Sequence, residues 1–262
     1  MKTNLLAFSA ALLTLSAAGQ FSEGALPITA AEFKPVADKG YTTCTITMQW
    51  EGSEEGPVEN GKITFSMGLP VYYKYAEVVA PVEVEETFVW NEWNRLESTR
   101  IASNTGDGEY GTEETYEYED GILDQTISSF FGTDDLPWIA KKFSYDQNGR
   151  CTGYATFNVP ETEEEIVFED TQTQLEYNAA GQVVKSSYST LNMETMEYDV
   201  VSVTTYTYDK KGFLTTASSV MPEDNSEIDT VTFKRDANGL ILEKKVSSLA
   251  FGNVTFFYTY SK

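Results

Sequence analysis

Histidine is absent from this 262-residue sequence, cysteine occurs twice, and only 18 Lys and Arg face 41 Asp and Glu. Each shortage removes a class of function. Without imidazole there is no Ser-His or Cys-His nucleophile pair, no His general base and no His-ligated metal. A formal net charge of −23 offers no cationic footprint to a phosphate backbone, which argues against nucleic-acid binding. Cys44 and Cys151 are far apart and read as two buried thiols acting as small hydrophobes rather than as a disulfide. No Gly-rich phosphate loop follows a strand and opens a helix, so no nucleotide or other cofactor is expected. What is abundant is a β-strand vocabulary of Tyr (16), Phe (15) and Thr, within 41% apolar residues. That is enough for a sizeable core.

Long apolar runs are also lacking. The stretch Leu5 to Leu15 is too short to cross a hydrocarbon layer of about 30 Å as a helix. It follows Lys2 and precedes Ser16, Ala17, Ala18 and Gly19, the order of a secretory signal with a small-residue cleavage site. Residues 1–19 are therefore expected to be a cleaved signal peptide, 20–40 a linker, and 41–262 a single domain. No Cys follows the apolar run, so no lipid anchor is expected. The reading places the chain in the periplasm or cell envelope, or outside the cell.

The informative feature is an internal repeat. FSYDQNGRC (143–151), LEYNAAGQV (175–183), YTYDKKGFL (206–214) and FKRDANGLI (233–241) align without gaps. FVWNEWNRL (88–96) joins them with Asn94 in the Gly position, while YEYEDGIL (116–123) and VENGKI (58–63) give shorter forms. The marker Gly or Asn falls at 61, 94, 121, 149, 181, 212 and 239. A three-residue hairpin connection ends on a residue at positive φ, which Gly adopts freely and Asn tolerates best among the rest. Asp or Asn at the turn entry can accept a backbone N–H. The register that follows sets Trp90 opposite Leu96, Tyr118 opposite Leu123, Tyr145 opposite Cys151, Tyr177 opposite Val183 and Tyr208 opposite Leu214. Val58 falls opposite Ile63, and Arg235–Ile241 alone departs from the apolar pattern. Opposed residues share a face, so these pairs build one apolar row. The fold class is all-β: an extended antiparallel meander of repeated hairpins, a curled sheet or half-barrel with the aromatic row inside.

The F/Y-x-Y-D-x-x-G-x-φ element, best at 143–151 and 206–214, resembles the YD repeat of Rhs-type proteins. It is also similar to the hairpins of secreted β-repeat proteins from Gram-negative bacteria. The resemblance covers roughly residues 88–262 and implies a hairpin architecture, export, and a surface or binding role. The Asp-Pro-rich closing signature of the Rhs shell and a toxin-like segment are both missing.

The connections opposite the tight turns (104–114, 132–137, 159–165, 191–199 and 221–229) are rich in acids and hold no Lys or Arg. Arg95, Lys141, Lys142, Arg150, Lys185, Lys210 and Lys211 gather nearer the tight turns. No acidic stretch carries an ordered D-x-[DN]-x-[DN]-G frame, so this rim reads as solvated loops and no metal site is expected. Trp93 falls at a turn tip, and Trp138 opens a strand after residues 133–137. An exposed Trp stacks on a sugar face or anchors a protein contact, which makes these two the candidate binding residues. Tyr118, Tyr145, Tyr177 and Tyr208 read as core. A membrane barrel is disfavoured because Lys185 on one strand and Glu243 and Lys245 on another would each cost about 2–4 kcal/mol at mid-membrane. The functional expectation is an exported, non-catalytic module that binds a glycan or protein. A carboxylate-dependent polysaccharide hydrolase is the first alternative. The second is an assembly subunit pairing through a free terminal edge near Tyr260.

Overall fold

The computed structural model describes residues 26–77, 82–104, 108–132, 138–159 and 169–262. The expected signal peptide, Asp107 and the acidic segments 133–137 and 160–168 lie outside the described residues. Sixteen strands run in order: β1 (Thr43–Trp50), β2 (Val58–Ser66), β3 (Leu69–Ala76), β4 (Glu83–Trp90), β5 (Leu96–Asn104), β6 (Glu109–Glu119), β7 (Ile122–Phe131) and β8 (Ile139–Tyr145). They continue as β9 (Cys151–Asn158), β10 (Glu169–Tyr177), β11 (Val183–Asn192), β12 (Glu197–Tyr208), β13 (Leu214–Val220), β14 (Glu227–Arg235), β15 (Ile241–Ser248) and β16 (Gly252–Ser261). Each pairs antiparallel with its sequence neighbours, and β16 returns to β1, with Thr43 opposite Ser261 and Trp50 opposite Val254. The curled meander closes into a barrel. Tyr260, expected on a free edge, is opposite Cys44 instead. Closure pairs the backbone groups that two terminal strands would otherwise leave unmet.

Five of the tight turns share one geometry. Asn94, Gly149, Gly181, Gly212 and Gly239 have φ between 57° and 94°. The turn-entry side chain (Asn91, Asp146, Asn178, Asp209 or Asp236) accepts two backbone N–H bonds at 2.8–3.0 Å. Beside each turn the register shifts by one residue, and the expected pairs from Trp90–Leu96 to Arg235–Ile241 all form. Asp120 and Gly121, at φ 49° and 83°, make the shorter turn. The copy at 58–63 is corrected. Gly61 lies inside β2, opposite Ile46 on one side and Tyr75 on the other, and Val58 pairs with Met48. The turn in this hairpin is Met67-Gly68, at φ 50° and 84°. Asn60 is the bulged residue, buried and donating to the Ala76 carbonyl at 2.8 Å.

Counting inward along each hairpin from its turn, the enclosed face changes character. The first layer holds the motif residues and their aliphatic partners, with Leu96, Cys151, Leu214 and Ile241 all buried. The second pairs Phe88–Thr99, Tyr116–Thr126, Phe143–Tyr154, Leu175–Ser186, Tyr206–Ala217 and Phe233–Lys244. The third pairs Glu86–Ile101, Glu114–Ser128, Lys141–Thr156, Thr173–Tyr188, Thr204–Ser219 and Val231–Val246. Polarity thus rises with distance from the turns. The wall formed by β14–β16 and β1–β5 carries the main apolar cluster, including Cys44, Ile46, Ile63, Tyr73, Val84, Val254 and Phe256.

The stretch expected as a linker packs into the barrel. Ala30–Phe33 forms a 3₁₀ turn and α1 (Lys34–Lys39) continues it, with Ile28, Phe33 and Val36 buried in the main cluster. Phe33 meets Phe65 and Trp90 at centroid distances of 6.4 and 6.3 Å. Leu26 instead packs on the smaller cluster of Phe143, Cys151 and Leu175 across the barrel. The apolar side chains at 26, 28, 33 and 36 therefore bridge two walls near the tight-turn end. Cys44 and Cys151 are free, buried, and in separate clusters, as their apolar surroundings implied.

The opposite face of the sheet is polar. Thr43, Thr45 and Thr47 share it with cross-strand ion pairs Lys74–Glu83 (3.0 Å), Arg100–Glu109 (2.9 Å), Lys185–Glu176 (2.7 Å) and Lys142–Asp124. These pairs meet solvent, which screens them, so they contribute little to stability. Their importance is in marking which face meets water.

Candidate functional site: a polar inner wall

The motif aromatics do two jobs at the closed end. Each packs against its own hairpin partner, and its polar tip reaches the carbonyl of the preceding hairpin. Trp90 donates to Pro70 (2.8 Å), Tyr118 to Leu96 (3.0 Å), Tyr145 to Leu123, Tyr177 to Cys151 (2.6 Å) and Tyr208 to Val183 (2.7 Å). Guanidinium groups cover two of these rings: Arg95 lies 5.6 Å from the Tyr118 centroid and Arg150 4.8 Å from Tyr177. This girdle ties hairpin to hairpin, which agrees with a structural reading of the aromatic row.

Deeper inside, β6 to β12 present groups that the sequence reading did not single out. Glu114 accepts from the Tyr116 hydroxyl (2.8 Å), Thr126 (2.8 Å), Ser128 (3.4 Å) and the Lys141 ammonium (3.4 Å). Burial raises the Glu114 carboxyl, but Lys141 and the hydroxyls outweigh it and hold the group below the usual carboxylate range. Burial opposes the Lys141 charge, and Glu114 more than restores it, so this amine is raised. Burial, then the Glu114 charge, pushes Tyr116 well above the ordinary phenol range. The Tyr154 phenol lies within electrostatic reach of Lys141, Tyr188 and Tyr206. Burial first raises Tyr188 and Tyr206, which therefore stay neutral hydroxyls; Tyr206 meets the Ser186 hydroxyl at 3.1 Å.

This wall is not filled by packing. Lys141 keeps 36% of its side chain exposed and Glu114 21%, and Tyr154, Thr156, Tyr188, Ser202, Thr204 and Tyr206 are all half-buried. At comparable depth on the apolar wall, Ile46, Ile63 and Tyr73 are 0% exposed. Inward-facing groups that retain exposure border water-accessible space, so the lumen is open along this side.

Neither sequence-selected tryptophan lies in this wall. Trp93 stands 67% exposed at the β4–β5 turn, so it does not fold back over its hairpin. Trp138 is 55% exposed just before β8, at the opposite end of the barrel, and the two cannot share a site. The expected acidic rim is also partly internal. Glu114 and Asp229, counted with the connections, lie on inward-facing strand positions. The missed residues were one step from discovery: carrying the period of two beyond the motif Tyr leads through Tyr116, Phe143 and Tyr206 to Glu114, Lys141 and Thr204. On the outer face an open depression of about 400 Å³ lies beside Glu51–Ser53, lined by Gln49, Thr230, Lys245 and Asn253. Its charges are engaged, Glu51 by Asn253 and Lys245 by Glu243 at 3.6 Å.

No protein-family model and no curated protein matches the sequence. Among solved structures, a porin-like protein from Bacteroides uniformis is similar at a TM-score of 0.47 and 12% identity, covering 84% of this chain and 96% of that one. A porin-like protein from Bacteroides vulgatus follows at a TM-score of 0.35 and 13% identity, covering 83% and 97%. Likeness at this level carries no functional argument, and the barrel rests on its own strand pairing.

Proposed function

We propose that this chain is an exported, water-facing and non-catalytic β-barrel that takes a ligand into its lumen against the polar wall of β6–β12. The observation that carries the reading is the contrast between the two inner walls, one packed so that Ile46, Ile63 and Tyr73 are 0% exposed and the other lined with half-exposed Tyr, Ser, Thr and a charge pair. Concave, partly apolar surfaces with a few placed polar groups are the usual form of a binding site. A membrane-spanning barrel needs an apolar belt outside and polarity within. Here ion pairs cross the outer face where that belt would lie, and the main apolar cluster lies inside. The signal-like start of the chain and the YD-like turns support export and a place in the envelope or beyond it. Glu114, engaged by four donors and held below the usual carboxylate range, is poorly suited to act as a general acid.

The test is a binding screen of the exported chain against glycans and envelope proteins, repeated with Tyr154→Ala and with Trp93→Ala. Binding lost only in the Tyr154 variant is expected. Binding that survives it, or that is lost only with Trp93, would move the site out of the lumen.

A further inference from the structure

We infer that the lumen takes the end of a neutral oligosaccharide. The inference rests on the lumenal reading above and concerns the class of ligand. Charge is the first argument. Among the described residues, the inward-facing acids Glu86, Glu114 and Asp229 of four layers are matched in number by Lys141, Lys244 and Arg235. Lys141 is committed to Glu114, and Arg235 lies 5.6 and 5.8 Å from the Phe213 and Phe233 rings while donating to the Gly239 carbonyl. No surplus cation waits for an anion, and a net charge of −23 repels anionic polymers before they arrive. A cationic ligand would need an acid with spare capacity; Glu114 already accepts from Lys141 and three hydroxyls, and Asp170 stands within electrostatic reach of Tyr188 only at the edge of the wall.

The second argument is donor and acceptor type. Tyr154, Thr156, Tyr188, Ser202, Thr204 and Tyr206 offer hydroxyls that both donate and accept, which is what sugar hydroxyls require of a partner. An apolar ligand would strand these groups without water. Three of them also present phenol rings, flat apolar faces suited to the C–H face of a pyranose.

The third argument is access. Among the described residues the tight-turn end is occupied by the aromatic girdle and by Leu26, Ile28, Phe33 and Val36, which leaves the other end as the way in. A polymer entering a barrel closed at one end presents its terminus. From the second to the fourth layer spans about 14 Å at about 3.4 Å per residue, room for a short oligosaccharide.

The experiment titrates the chain from residue 20 onward, by calorimetry, with maltohexaose, cellohexaose, xylohexaose and mannohexaose. An oligogalacturonate, a chitosan hexamer and a tripeptide mixture serve as charged and peptidic comparators. At least one neutral hexasaccharide should bind, with an affinity insensitive to salt and about tenfold weaker in Tyr154→Ala and Tyr188→Phe. Melting curves of each variant confirm folding. Preference for a comparator, with the same loss in those variants, would overturn the ligand class and keep the lumenal site. Silence across the whole panel would also overturn the class. The site is then judged separately by Tyr154→Cys: labelling by a small maleimide in the folded protein keeps the lumen open to ligands, and no labelling removes it. The buried Cys44 and Cys151 keep the background low.

Discussion

Replacing Lys141 by Met removes the only ammonium among the groups that Glu114 engages and leaves three hydroxyl donors in place. At the observed 3.4 Å, an effective dielectric of about 20 gives a gross attraction of about 5 kcal/mol. The Lys141 side chain is 36% exposed and Glu114 21%, so water screens the pair and the expected coupling falls to about 1–2 kcal/mol. The sign with pH follows from the two shifts. Glu114 is depressed from 4.5, so its contribution is complete above that value and disappears as pH falls through the folded-state value. Lys141 is raised from 10.5, so its contribution is complete below that value and disappears only in stronger base. Urea unfolding of wild type, Lys141→Met, Glu114→Gln and the double variant should yield this coupling at about pH 7. It should shrink as pH falls below 4.5 and through the lower folded-state value of Glu114, where the carboxyl takes up its proton. A loss in Lys141→Met that does not change with pH would refute the electrostatic reasoning and assign the residue a packing role.

Other consequences are as direct. Tyr118→Phe and Tyr177→Phe each leave a neighbouring hairpin carbonyl without its donor, and thermal melts should show a loss of about 1 kcal/mol apiece. Gly68→Ala and Gly149→Ala both force positive φ on a residue with a Cβ, at about 1–2 kcal/mol. Only the first brings that Cβ to 2.3 Å from Ala37, so only Gly68→Ala should expose residues 26–40 to hydrogen exchange and proteolysis. Burial pushes the Cys44 thiol up to about 12 and also raises Cys151, so alkylation should modify neither cysteine until the barrel is unfolded. A thiol titrated rapidly under native conditions would contradict that.

The hairpins were legible because their chemistry is local. Asp146, Asn178 and Asp209 hold their own turns, and the following Gly lies within four residues of each. The same locality misled at 58–63. Asn60-Gly61 has the composition of a turn, yet Gly61 is small for a different reason: a Cβ there would lie 2.5 Å from the Lys74 carbonyl and 2.7 Å from the Tyr75 Cβ. The true turn places Met67 at positive φ, which no compositional cue marks. The inner site was hidden by distance along the chain. Glu114 and Lys141 are 27 residues apart, one grouped with acidic connections and the other with basic turn ends, and only strand pairing brings them together. Closure was equally invisible, because the β1–β16 contact depends on how sixteen strands curl.

That closing contact sets the order in which the molecule can be made. Fourteen of the strands have both partners close by in sequence, and hairpins of this kind form in about 1–10 μs. The seam between Thr43 and Ser261 joins residues 218 apart, and bringing such ends together carries a chain entropy cost of about 5 kcal/mol. Until the final strand emerges, β1 must wait with Cys44, Ile46 and Met48 uncovered on one side and its backbone unpaired along one edge. The barrel is therefore slow to finish although each of its parts is fast, and a chain lacking only its last ten residues would lose two seams at once, those of β16 with β15 and with β1.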